Sequence, residues 1–78
     1  MTNIEICDAV YSEFYRAADL HKPFNSAHEG YAILLEEVDE LWDEVKKNPH
    51  KSPERLANMR TEAIQVAAMA MQFLKDVC

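Results

Sequence analysis

Apolar residues recur at three- and four-residue steps along most of the chain, the mark of helices that each bury one face. In the first stretch Cys7, Val10, Tyr11, Phe14, Ala17 and Ala18 form one stripe at about 100° per residue, with Tyr15 and Arg16 outside its centre. In the second, Tyr31, Leu34, Leu35, Val38, Leu41, Trp42 and Val45 make a more regular seam, of the kind that forms the core of a bundle. The third stretch differs, because from Ala63 to Leu74 only Gln65 and Gln72 are polar. A helix that is apolar nearly all round is covered on several sides. Two neighbours from the same chain do not suffice for that, and Ala63, Ala67, Ala68 and Ala70 let another helix come close, so the pattern predicts an obligate dimer or larger assembly.

Punctuation divides the three stretches. Thr2 with Glu5 and Ser26 with Glu29 have the spacing of a capping box, in which hydroxyl and carboxylate satisfy free amides at a helix start. Ser52-Pro53-Glu54 marks a third start, with Ser52 as cap, Pro53 at the first helical position and Glu54 at the positive end of the dipole. Breaks fall at His21-Lys22-Pro23 and Asn48-Pro49, giving helices over 3–20, 27–47 and 53–77. One glycine and three prolines leave few of the turns that a sheet needs. The expectation is a single all-α domain over residues 1–78, three helices per chain, assembled into an oligomeric bundle.

Size sharpens this picture. A chain of 78 residues removes only about 60% of its unfolded surface from water, so it needs a disulfide, a metal or a partner to supplement its core. Cys7 and Cys78 stand near opposite ends with no signal peptide ahead of them, and read as reduced thiols in a cytoplasmic protein, Cys7 as a small buried hydrophobe. Met59, Met69 and Met71 read as adaptable packing. Fourteen acids against eight bases give a net charge of −6, which disfavours nucleic acid polymers and acidic membranes as partners. No run of apolar residues is long enough to span a bilayer.

The acids of the second helix carry the candidate chemistry. With Val38 at the centre of the seam, Glu36, Asp39 and Asp43 fall on the solvent side, whereas Glu37, Glu40 and Glu44 share one flank of the apolar stripe. The third helix offers a matching row of Glu62, Gln65, Met69 and Gln72. If the two helices run antiparallel, Glu62 and Gln65 come opposite Glu37 and Glu40, a ring of oxygen ligands suited to Mg²⁺ or Mn²⁺. Such an ion shares its sphere with substrate phosphates, so the ring points to phosphoanhydride chemistry. The plain reading of the same residues is a solvated helix face, with Glu40 or Asp43 paired to Lys47. His21, His28 and His50 form no Glu-x-x-His pattern of the di-iron bundles.

Glu36-Glu37-Val38-Asp39-Glu40 resembles the E-E-x-x-E motif of the all-α NTP pyrophosphatases, the MazG-like superfamily, and Glu62 opens what looks like their second motif, E-x-x-D, with 21 residues between Glu40 and Glu62. The resemblance runs from about Phe24 to Leu74. It implies a dimeric or tetrameric helical bundle that uses magnesium to split a nucleoside triphosphate into a monophosphate and pyrophosphate. It further implies catalytic roles for Glu36, Glu37, Glu40 and Glu62. Glu37, Glu40 and Glu62 would be metal ligands, with Gln65 at the fourth position and Glu36 orienting water. The family's aspartate is replaced by Gln65, whose amide oxygen can coordinate but brings no charge and cannot act as a base. Lys46, Lys47, Arg55 and Arg60 are candidates for a phosphate clamp, and Tyr15, Phe24 and Tyr31 for an aromatic face against the base, while Trp42 reads as core. The alternative is a degenerate relative, a helical module that binds a nucleotide or a protein without cleaving anything.

Overall fold

The computed structural model describes residues 1–78 as three helices and no strand: α1 over Asn3–Leu20, α2 over Ala27–Val45 and α3 over Arg55–Val77. The capping box of α1 is complete, with Thr2 N–H donating to Glu5 over 3.0 Å and Glu5 N–H donating to the Thr2 hydroxyl over 3.1 Å. At α2 only half of it forms. Ser26 Oγ accepts from Glu29 N–H over 3.1 Å, but the Glu29 carboxylate turns to the backbone and side-chain N–H groups of Asn25 instead.

The α2–α3 connection is longer at both ends than the sequence pattern predicts. Asn48 folds the chain back, its carbonyl accepting from Lys51 and Ser52 and its side chain from His50 N–H. Ser52 and Pro53 are spent in this turn, so α3 begins two residues late, at Arg55, with no side-chain cap. Arg55 then closes the other end of the turn, its guanidinium donating to the Val45 carbonyl over 2.7 and 3.2 Å. Arg55 thus satisfies a helix C-terminus, and its candidacy as a phosphate clamp falls away.

Helix α3 is the spine. Both α1 and α2 pack on it and neither packs on the other, which leaves a cleft between them floored by α3. The small core comprises Phe14, Ala17, Phe24, Ala68 and Met69, edged by Ile33, Leu34, Phe73 and Val77. Phe24 N–H donates to Asp76 over 3.0 Å, tying the α1–α2 connection to the last turn of α3. Gly30 permits the closest approach of α2: a Cβ there would stand 2.9 Å from ring atoms of both Phe24 and Phe73. Gly30→Ala should therefore lower stability by about 1 kcal/mol in a denaturant titration, because overpacking two rings outweighs the gain in helix propensity.

Three expectations about burial are corrected. Cys7 is exposed, not a buried hydrophobe. On α2 the seam splits: Leu34 and Leu41 turn towards α3, while Tyr31, Leu35, Val38, Trp42 and Val45 are exposed, Tyr31 by 61% and Trp42 by 57%. Trp42 is not core. The cause is one of phase, since the inward face centres near Gly30, Ile33, Leu34, Glu37, Leu41 and Glu44 and not on Val38, a rotation of about one residue's 100°. Finally, the apolar residues of α3 are mostly half-buried by its own two neighbours, and α2 exposes a continuous apolar stripe. No helix is long and apolar enough to cross a membrane.

Candidate metal centre and adjoining cleft

The shift in phase carries Glu37 from the edge of α2 onto its inner face, against α3. The two helices run antiparallel, as the pairs Val45 with Arg55, Glu44 with Asn58 and Gly30 with Phe73 require. One α-helical turn on from Glu37 is Glu40, and the register brings Glu62 of α3 opposite both. Oxygens of Glu37, Glu40 and Glu62 lie within 4.8 Å of one another. Of the three, Glu37 and Glu62 are half-buried and Glu40 is exposed.

Three negative charges at this spacing disfavour one another's ionisation. Burial, followed by the charges of Glu40 and Glu62, pushes the Glu37 carboxyl up to about 7. Burial and the neighbouring Glu40 also raise that of Glu62. Close to neutral pH, then, Glu37 is about half protonated. An unfolded glutamate titrates near 4.5, so between about pH 4.5 and 7 the folded chain binds the additional proton. The resulting stability is present in full at the acid side of this window and is lost as the pH rises through 7. In the presence of a chelator, thermal unfolding should therefore show a protein that weakens by roughly 1–2 kcal/mol between pH 5 and 8, with solvent screening at a half-open site included. Glu37→Gln should flatten that dependence.

Gln65 stands one turn beyond Glu62. With Nε2 facing the acids its amide donates to Glu62 over 2.9 Å and to Glu37 over 3.3 Å, the orientation that satisfies the network without a cation. Turned over, the same side chain presents its carbonyl oxygen to the cluster. All the donors within reach are then oxygens, three of them carboxylate, which is the chemistry of a site for a hard divalent ion.

Glu37 and Gln65 also line the cleft between α1 and α2, a cavity of about 540 Å³ that reaches past Glu36, Ile33 and Met69 to Phe24 and Gln72. That volume suits a ligand of mononucleotide size. Its basic side chains are Arg16, His21 and Lys22. Arg16 is held by Glu13, Nε donating over 2.8 Å, and this ion pair keeps the guanidinium at the wall of the cleft. Arg16 carried no signal in the sequence beyond its place beside the α1 stripe.

The other sequence candidates lie elsewhere. Lys46 pairs with Asp43 over 3.0 Å and Lys47 with Glu44 over 2.8 Å, one turn apart on α2 in place of the expected pairs with Lys47. Neither lysine lines the cleft, nor does Arg60. Tyr31 is exposed over a shallow depression with Ala27, His28 and Phe73, on the outer side of α2. Tyr15 stacks with Tyr11 on the surface of α1, whereas Phe24 does form part of the cleft wall.

No family model matches the chain, and no curated protein or solved structure matches it either.

Proposed function

We propose that this chain is a magnesium-dependent nucleoside triphosphate pyrophosphohydrolase of the MazG-like, all-α kind, converting an NTP or dNTP to the monophosphate and pyrophosphate. One observation carries the reading: oxygens of Glu37, Glu40 and Glu62 converge within 4.8 Å beside a cleft large enough for a mononucleotide. The acidic motif of α2 and the glutamate that opens the second motif on α3 support it, because they are the residues that meet.

The donor set fits magnesium, with Glu37, Glu40 and Glu62 as holders and Gln65 as an oxygen ligand once its amide turns over. When bound, the ion supplies positive charge against the polyphosphate and lowers the pKa of water at the site. The remaining work belongs to the chain. Glu36 lines the cleft next to Glu37, where one of its carboxylate oxygens orients a water and takes its proton as that water attacks the α-phosphorus. The bond from that phosphorus to the bridging oxygen breaks and pyrophosphate leaves. Arg16 and Lys22 offset charge that develops on the phosphate oxygens from the opposite wall.

Homodimers or homotetramers complete the proposal, formed through the exposed stripe of α2. Its residues Tyr31, Leu35, Val38, Trp42 and Val45 follow the alternating four- and three-residue steps of a coiled-coil seam. The expected compartment is the cytoplasm, where the exposed thiols of Cys7 and Cys78 remain reduced.

A second reading is favoured by Gln65. Placed with Nε2 towards the acids, its amide bridges Glu62 and Glu37 without any ion, which suits a degenerate module that holds a nucleotide or a protein and cleaves nothing. Incubation with a panel of ribo- and deoxyribonucleoside triphosphates and Mg²⁺, followed by assay of pyrophosphate, separates the two. Release with at least one nucleotide is the result expected. Nucleotide binding with no release from any of the panel would select the module.

A further inference from the structure

The end of the cleft away from Glu37 and Gln65 contains a polar group that its surroundings leave half used. Gln72 is only 5% exposed, in the row with Gln65 and Met69 on α3, and it lines the cleft where Phe24, Pro23 and His21 close it. Its Nε2 donates to Asp76 over 3.2 Å. A carboxylate only accepts, so this bond fixes which way the amide points. Asp76 is in turn fixed by the backbone N–H of Phe24. The carbonyl oxygen of Gln72 makes no hydrogen bond within the chain and is not fully buried, and the side chain borders both the cleft and a smaller depression that includes Asp76.

We infer that Gln72 reads the nucleobase, with Asp76 as its positioning residue. This rests on the nucleotide reading above. Gln72 and Gln65 are seven residues apart on α3, about 10 Å along the helix, room for a sugar between a base at this end and phosphates near the acids. Phe24, Ile33 and Met69 supply apolar walls for a flat ring. The fixed carbonyl accepts from a ring or exocyclic N–H, while Asp76 takes up one of the two amide N–H groups. The site therefore selects bases by the donors they present at one edge.

The test is binding without metal, measured calorimetrically with full-length protein in chelator, using the nucleoside monophosphates of adenine, guanine, cytosine and uracil, and inorganic pyrophosphate as a probe of the phosphate end alone. Wild-type protein should discriminate among the four bases. Gln72→Leu should weaken the preferred monophosphate about tenfold, the loss of one well-placed hydrogen bond, and leave pyrophosphate binding unchanged. Asp76→Asn frees the amide to turn over, so it should narrow the spread of affinities among the bases, an effect that loss of stability alone does not produce. Unchanged monophosphate affinity in Gln72→Leu, or an unchanged spread in Asp76→Asn, overturns the inference and leaves the hydrolase reading standing. Should neither monophosphates nor pyrophosphate bind wild-type protein, the nucleotide reading falls and this inference with it. If Gln72→Leu does not fold, Asp76→Asn decides the matter.

Discussion

Replacing Glu62 by glutamine is expected to reduce magnesium-dependent pyrophosphate release by about a hundredfold or more, since even groups that merely orient metal ligands cost 10–100-fold when lost. The substitution preserves volume and hydrogen bonding and removes one of three charges, so its effect reports on charge at the cluster. A second consequence has the opposite sign. Glu62 is among the charges that raise the Glu37 carboxyl, and taking it away relieves repulsion in the ion-free protein. At pH 8 in chelator the variant should therefore unfold at a higher temperature than wild type, while gaining less from added Mg²⁺. Loss of activity joined to a gain in ion-free stability is the signature of a ligand. A surface glutamate with no common partner would change neither.

The second large effect concerns assembly. Leu35→Glu combined with Trp42→Glu should convert the proposed dimer or larger particle to a monomer in sedimentation, because both side chains lie in the exposed stripe of α2 and neither belongs to the core. Burying a large apolar side chain contributes about 1.5–3 kcal/mol, and introducing a carboxylate in its place adds a desolvation cost. The proposed assembly is motivated by the single chain, in which only 7 of 78 residues are buried and no large side chain is fully so. Stability should fall with the assembly and become independent of protein concentration. A wild-type protein that sediments as a well-folded monomer at micromolar concentration would overturn this part of the account.

Helix number and the starts of α1 and α2 were legible because they rest on local chemistry. Thr2 and Glu5 form the expected box, and Ser26 caps as its type requires. The ends of the α2–α3 turn were not, since Asn48 and Arg55 compete for the residues there through contacts that no spacing rule contains. Periodicity also placed α2 correctly as an amphipathic helix and misplaced its phase. Its apolar arc is broad enough to hold two stripes, Leu34 with Leu41 and the five exposed residues, and pattern alone does not say which one meets α3. The acids were less sensitive to that error. Glu37 and Glu40 are one turn apart whatever the phase, and an antiparallel register brings Glu62 to them, so the cluster was anticipated. The basic side of the cleft was not, because Arg16 and Lys22 arrive from α1 and the following loop, elements whose placement depends on tertiary packing.

The most direct test of the proposal that Glu37, Glu40 and Glu62 hold a cation is thermal unfolding at pH 8 during titration with Mg²⁺ and with Mn²⁺. A ligand that binds only the folded chain stabilises it by about 2.7 kcal/mol at a hundred times its dissociation constant. The melting temperature should thus climb with ion concentration in wild type and stay flat in Glu40→Gln. A wild-type melting temperature indifferent to both ions, or an equal rise in the two proteins, would contradict it.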